Sequence, residues 1–138
     1  HPACKASLQL FDKTARQYAG NQHVSFFAVS AASNEASSEQ IHQLLRTWDV
    51  TTPVLRDSDA VGRDLFHIPA LPAIMALGTD GRLQIYELTY IPRLDELLSE
   101  GVQQLLAGED LAQQVLNRFD ESQRNYQRLL ENRGRLGE

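Results

Sequence analysis

One thiol and a few imidazoles carry the chemistry open to this 138-residue chain. Cys4 is its one cysteine, and His1 stands three residues before it, a spacing that puts both on one face of a helix. An imidazole so placed can polarise the thiol as a base, and Lys5 adds a positive charge that favours a thiolate. Each residue also has a plainer reading, Cys4 as a small buried side chain and His1 as a mobile terminal one. His67 supplies a third donor. Imidazole with thiolate suits copper or zinc, so His1, Cys4 and His67 form a candidate metal set, although no carboxylate pattern accompanies them. His23 and His42 carry no spacing signal, and Asp57-Ser58-Asp59 reads as the cap of a short helix rather than a catalytic carboxylate pair. A single cysteine excludes an intramolecular disulfide and any cysteine-rich zinc site.

The elements that must position these groups follow from periodicity. Pro2 suits a first helical turn, and Leu8, Phe11, Ala15 and Tyr18 form a stripe that places Cys4 at the start of an amphipathic helix ending before Gly20. Residues 24–29 are β-prone, residues 30–38 are small and polar, and Ser37 with Gln40 has the spacing of a capping box. Ile41, Leu44, Leu45 and Trp48 then mark a second helix. Trp48 and Phe66 read as packing residues, since no basic residues interleave with them. Thr51-Thr52-Pro53-Val54-Leu55 is a short strand with an edge proline, followed by a short helix up to Phe66.

The most informative stretch runs from Leu65 to Leu83. Pro72 cannot donate to a ladder, so it belongs at the first position of the apolar run Ala73-Ile74-Met75-Ala76-Leu77, and it is a candidate for a cis bond. Gly78-Thr79-Asp80-Gly81 then turns the chain into a second strand. A further helix begins at Pro92, with the stripe Leu94, Leu97, Leu98, Val102, Leu105 and Leu106, and ends at Gly108. Residues 109–131 make an accessory amphipathic helix with a narrow seam of Leu111, Val115, Phe119, Tyr126 and Leu129. It either packs on its own domain or serves, over 110–130, as an arm for a partner or neighbouring domain. Residues 132–138 read as a flexible tail.

Length allows one domain with its own core. A net charge of −5 without a basic stripe argues against nucleic acid, and no apolar run approaches the roughly 20 residues of a membrane span. No cofactor is expected from any motif.

The motif His1-Pro2-Ala3-Cys4 at a helix start, Thr52-Pro53-Val54-Leu55-Arg56-Asp57, the Phe66-His67-Ile68 lead-in, Pro72 and the Asp80-Gly81 turn occur in the order and at the separations of one family. In these features residues 1–106 resemble the redoxin-type branch of the thioredoxin superfamily, which includes membrane-anchored, extracytoplasmic thiol-disulfide oxidoreductases and the peroxiredoxins. The resemblance implies a thioredoxin-like α/β fold over residues 1–108, a three-layer α/β/α sandwich whose mixed sheet ends in an antiparallel hairpin. It implies a site at Cys4 with His1, an extended protein or peptide partner bound at Leu71 and Pro72, exchange with protein thiols and disulfides, and a periplasmic or other extracytoplasmic location.

Two departures qualify what it implies. The family's motif is Cys-x-x-Cys, and here His1 holds the first position, so only single-cysteine chemistry through Cys4 remains. A peroxiredoxin arrangement cannot be written around Cys4 either. The family also has a buried central strand directly before the motif, and the expectation is that this strand lies outside the sequence, upstream or donated by another molecule. The alternatives to thiol chemistry are a redox-inactive peptide-binding module and the metal set His1, Cys4 and His67.

Overall fold

The computed structural model describes residues 1–31 and 36–135, with the side chains of residues 129–135 excepted. Part of the polar loop expected over 30–38, the seam position Leu129 and the end of the expected tail therefore lie outside the described side chains or residues. The order is α1 (Pro2–Gln17), β1 (Ala28–Ser30), α2 (Ser38–Thr47), β2 (Val54–Arg56), α3 (Val61–Asp64), β3 (Ala73–Leu77), β4 (Leu83–Leu88), α4 (Leu94–Leu106) and α5 (Leu111–Arg135). The chain is thus mixed α/β.

The sheet is divided. β1 pairs with β2 in parallel, with Val29 opposite Leu55, and β3 pairs with β4 as an antiparallel hairpin, with Met75 opposite Tyr86. The hairpin forms as expected, and among the described residues no ladder joins the two pairs, which stand as two sheets of two strands with the expected central strand not among them. The strand expected over 24–29 is likewise shorter. A ladder needs paired backbone, and only residues 28–30 have a partner; ahead of them Phe26 packs its ring on α1 instead.

α1 holds the parts together. On one side Leu10 and Phe11 join a core of Ile74, Leu94 and Leu98, which ties the hairpin to α4. Along the α4 seam, Thr14 Oγ1 donates to the Asp95 carbonyl, Tyr18 Oη donates to the Ser99 carbonyl and Lys13 pairs with Asp95 at 2.6 Å. On another side Phe26 meets Phe11 edge-on at 5.4 Å and stacks on Tyr18 at 5.9 Å. The apolar stripe of α1 is only half-buried, and its fully buried residues are Ser7, Asp12 and Thr14, because the helix is enclosed from several directions rather than one.

Asp12 shows what those polar positions do. Its Oδ1 accepts the N–H groups of Thr51 and Thr52 at 2.8 and 2.7 Å and the Thr52 hydroxyl at 2.7 Å, and its Oδ2 accepts Arg16 Nε at 2.6 Å. The residues that lead into β2 therefore hang on a helix carboxylate. Gln9 and Arg16 reinforce this by donating to the carbonyls of Trp48 and Asp49.

Elsewhere local chemistry matches the elements. The Ser37–Gln40 capping box forms in both directions and starts α2. Asp57 accepts the N–H groups of Val61 and Gly62 and starts α3. Gly81, at φ +77°, closes the hairpin turn in a conformation that favours glycine. The fifth helix continues to Arg135, past the end expected at 131.

Burial alone would raise the Asp12 carboxyl, but hydrogen bonds from Thr52, Arg16 and the Thr51 and Thr52 backbone outweigh it and bring it from 3.8 to about 2. A carboxyl depressed by folding adds stability above its unfolded value and loses it as pH falls through the folded one, which corresponds to about 2 kcal/mol here. Asp12→Asn is expected to lower unfolding free energy by roughly that amount at pH 7, with the gap closing between pH 4 and pH 2. Urea titrations at pH 7, 4 and 2 check this; a gap independent of pH would contradict it.

Candidate functional site around Cys4

Pro2 at the first helical position and His1 at the N-cap fix the start of α1. A proline there sacrifices no hydrogen bond, since a first-turn N–H has no intrahelical acceptor. His1 Nδ1 accepts the Ala3 N–H at 3.3 Å, and the His1 carbonyl accepts the Lys5 N–H at 3.1 Å, the first bond of the helix. Cys4 is the third helical residue. It is half-buried, and its thiol has no hydrogen-bond partner among the described residues. The Cys4 N–H is the remaining open donor of that turn, so a group reaching the thiol also meets the positive end of a 16-residue helix.

His1 and Cys4 are thus close in the chain but not hydrogen-bonded. The imidazole that the spacing offers as a base serves instead as a helix cap. His67 lies in the segment after α3, exposed and with a left-handed φ of 52°. Among the described residues no three His, Cys, Asp or Glu side chains come together as a ligand set, so the arrangement of His1, Cys4 and His67 around a metal is not formed. The reason is local at His1, whose Nδ1 is turned toward the helix backbone as a cap.

Leu71 and Pro72 stand ahead of β3, and the bond between them is cis. The Pro72 carbonyl accepts the Thr89 N–H at 2.9 Å, which closes the open end of the hairpin. Leu71 is 56% exposed, and its backbone makes no hydrogen bond among the described residues. An extended chain can therefore pair beside it.

A cleft of about 280 Å³ opens between Arg16, Tyr18, Asn21, Phe26, Thr52 and Pro53. It lies at the C-terminal end of α1, roughly 20 Å along the helix from Cys4 at 1.5 Å per residue. It is not the site of the thiol. Among the described residues no helix is long and apolar enough to cross a membrane.

Comparison with protein-family models finds no match to this chain, and comparison with curated proteins finds none.

Sequence reasoning passed over Ser7, one turn after Cys4 on the same face. It is 3% exposed, and its hydroxyl has no hydrogen-bond partner among the described residues. The only signal available was a small polar residue within the helix's apolar positions. An unpaired buried hydroxyl costs on the order of 1 kcal/mol or more, and alanine is the better helix former. Ser7→Ala is therefore expected to stabilise the fold by about 1 kcal/mol, read as a higher urea midpoint at unchanged slope. A lower midpoint would show that the hydroxyl is satisfied in solution.

Proposed function

We propose that the chain is a divergent thioredoxin-like domain of redoxin type, a three-layer α/β/α scaffold in which Cys4 performs single-cysteine thiol-disulfide chemistry. The observation that carries this reading is the half-buried, unpartnered thiol in the first turn of α1, beside the one open N–H of that turn. The element order supports it as well: a helix led by the thiol, a parallel strand pair joined through α2, a hairpin behind Pro72, and α4 packed on α1.

In the reaction, the Cys4 thiolate attacks one sulfur of a disulfide. The substrate S–S bond breaks as the new one forms, and the electron pair departs on the other sulfur, which takes a proton from water. With no second cysteine among these 138 residues to resolve it, the mixed disulfide would persist until another thiol attacks. His1 would hold the helix start rather than abstract the proton, and Leu71 with Pro72 would pair with the extended substrate. The reading implies an extracytoplasmic location, where disulfides persist.

A second reading, a redox-inactive binding module, is favoured by a separate observation. Among the described residues, β3 pairs on one side only, with β4, and Leu77 on it is 57% exposed. An extended segment could add to that edge by backbone pairing, including the central strand that the family resemblance places before the motif.

One experiment separates the two. Treated at pH 7 with an aromatic disulfide, the native chain is expected to react faster than the urea-unfolded chain. The product is one mixed disulfide per chain, reversed by dithiothreitol and absent in Cys4→Ser. A thiol that reacts more slowly when folded would remove the chemistry and leave the binding reading.

A further inference from the structure

The hydroxyl of Ser7 weakens the fold that buries it. It is 3% exposed and has no hydrogen-bond partner among the described residues, although a carbonyl one turn earlier is the usual acceptor for a serine within a helix. Folded interiors pair nearly all their polar side chains, and an unpaired one calls for a reason outside packing.

Its place on α1 supplies that reason. Cα–Cβ bonds on a helix tilt toward the N-terminus, and residues three apart share a face with their Cβ atoms about 5–6 Å apart. Ser7 is therefore aimed back over the first turn of α1, where Cys4 stands half-buried with its own thiol unpartnered among the described residues. A protonated thiol is a weak acceptor and offers the hydroxyl little to bond. An ionised sulfur is a strong one, and rotation of the two side chains can close the gap to hydrogen-bond distance.

We propose that Ser7 is a positioning residue of the thiol site, whose hydroxyl donates a hydrogen bond to the Cys4 thiolate once the thiol proton has passed to water. The inference rests on the thiol-exchange reading of Cys4 and adds to it the side chain that holds the charged sulfur. The positive end of α1 and the open Cys4 N–H favour negative charge there. His1 is occupied as the cap, and Lys5, one residue on, does not face Cys4. The α1 side chain left to bond the thiolate directly is Ser7. One contact thus accounts for both unpaired groups: they stand apart while the thiol is neutral and pair when it becomes reactive.

Stopped-flow rates with an aromatic disulfide from pH 6 to pH 10 test this in the wild-type chain and in Ser7→Ala. Circular dichroism checks that the variant is folded, and the His1 amino group, Lys5 and every other charge stay in place. A hydrogen bond to a charged acceptor shifts an equilibrium about tenfold, and a stabilised thiolate is the weaker nucleophile, so the variant is expected to lose about threefold in rate at pH 7. At pH 10, well above the free-cysteine value of about 8.5, the loss is expected to vanish or reverse. A variant as fast as wild type at pH 7 would overturn the proposal and leave the thiol chemistry standing. So would a loss of the same size at both pH values, which marks altered access to the sulfur. A wild-type thiol that reacts more slowly folded than unfolded would overturn the thiol chemistry and this proposal with it.

Discussion

The carboxylate of Asp12 is the contact on which the arrangement of this protein turns. Two backbone N–H groups, two hydroxyls and a guanidinium converge on a side chain that is 2% exposed, in the middle of the first helix. A buried carboxylate without such partners would be strongly destabilising, and with them it stays ionised well below ordinary carboxyl values. Its effect is architectural. Thr51 and Thr52 precede β2, so the parallel strand pair is fastened to α1 by hydrogen bonds, whereas the hairpin is fastened to the same helix by apolar contact through Leu10, Phe11 and Ile74. One helix joins two sheets that do not touch through any ladder among the described residues.

That division of labour explains why the core is modest. Among the described residues the buried apolar ones are Leu45, Val50, Ile74, Leu94, Leu98 and Val102, and most of them belong to the α1, α4 and hairpin cluster or to α2 and the loop that follows it. With few large apolar side chains fully enclosed, an interaction of about 2 kcal/mol at Asp12 is a large share of the 5–15 kcal/mol typical of a domain. Polar fastening matters more here than in a chain with a continuous sheet.

Much of the fold was legible in the sequence, and the part that was not has a common physical origin. The capping box at Ser37 and Gln40, the apolar stripe of α4 and the turn at Asp80-Gly81 depend on neighbours within a few residues, and each forms as the pattern indicates. The Asp12 network joins residues 39 and 40 positions apart, and nothing in the spacing of Phe11-Asp12 foretold which backbone it would meet. At the site, the sequence placed Cys4 in the first turn of a helix, while the choice of His1 between thiol and helix backbone was not legible. An imidazole three residues from a thiol is also at the N-cap, and the cap offers a fixed N–H without further ordering of the chain. Strand length failed for a related reason: residues 24–29 have β propensity throughout, but a strand extends only as far as its partner, and β2 supplies three residues.

The exposed apolar residues are not scattered evenly over this framework. Leu77 lies on β3, which among the described residues pairs on one side only, and Leu116, Phe119 and Tyr126 lie on α5 beyond its first turn. Single exposed apolar residues are ordinary in a folded protein, but runs of them on regular backbone are the places where another chain can add without first being organised. The two surfaces differ in what they ask of a partner. A strand edge is read mainly through backbone groups and accepts many sequences, so it suits a substrate or a segment defined by extended shape. A helix face is read through side chains and accepts few, so it suits a fixed association. The thiol at the start of α1 and the exposed apolar residues of α5 occupy separate elements of the chain, so the exchange proposed at Cys4 need not be obstructed by a partner on α5.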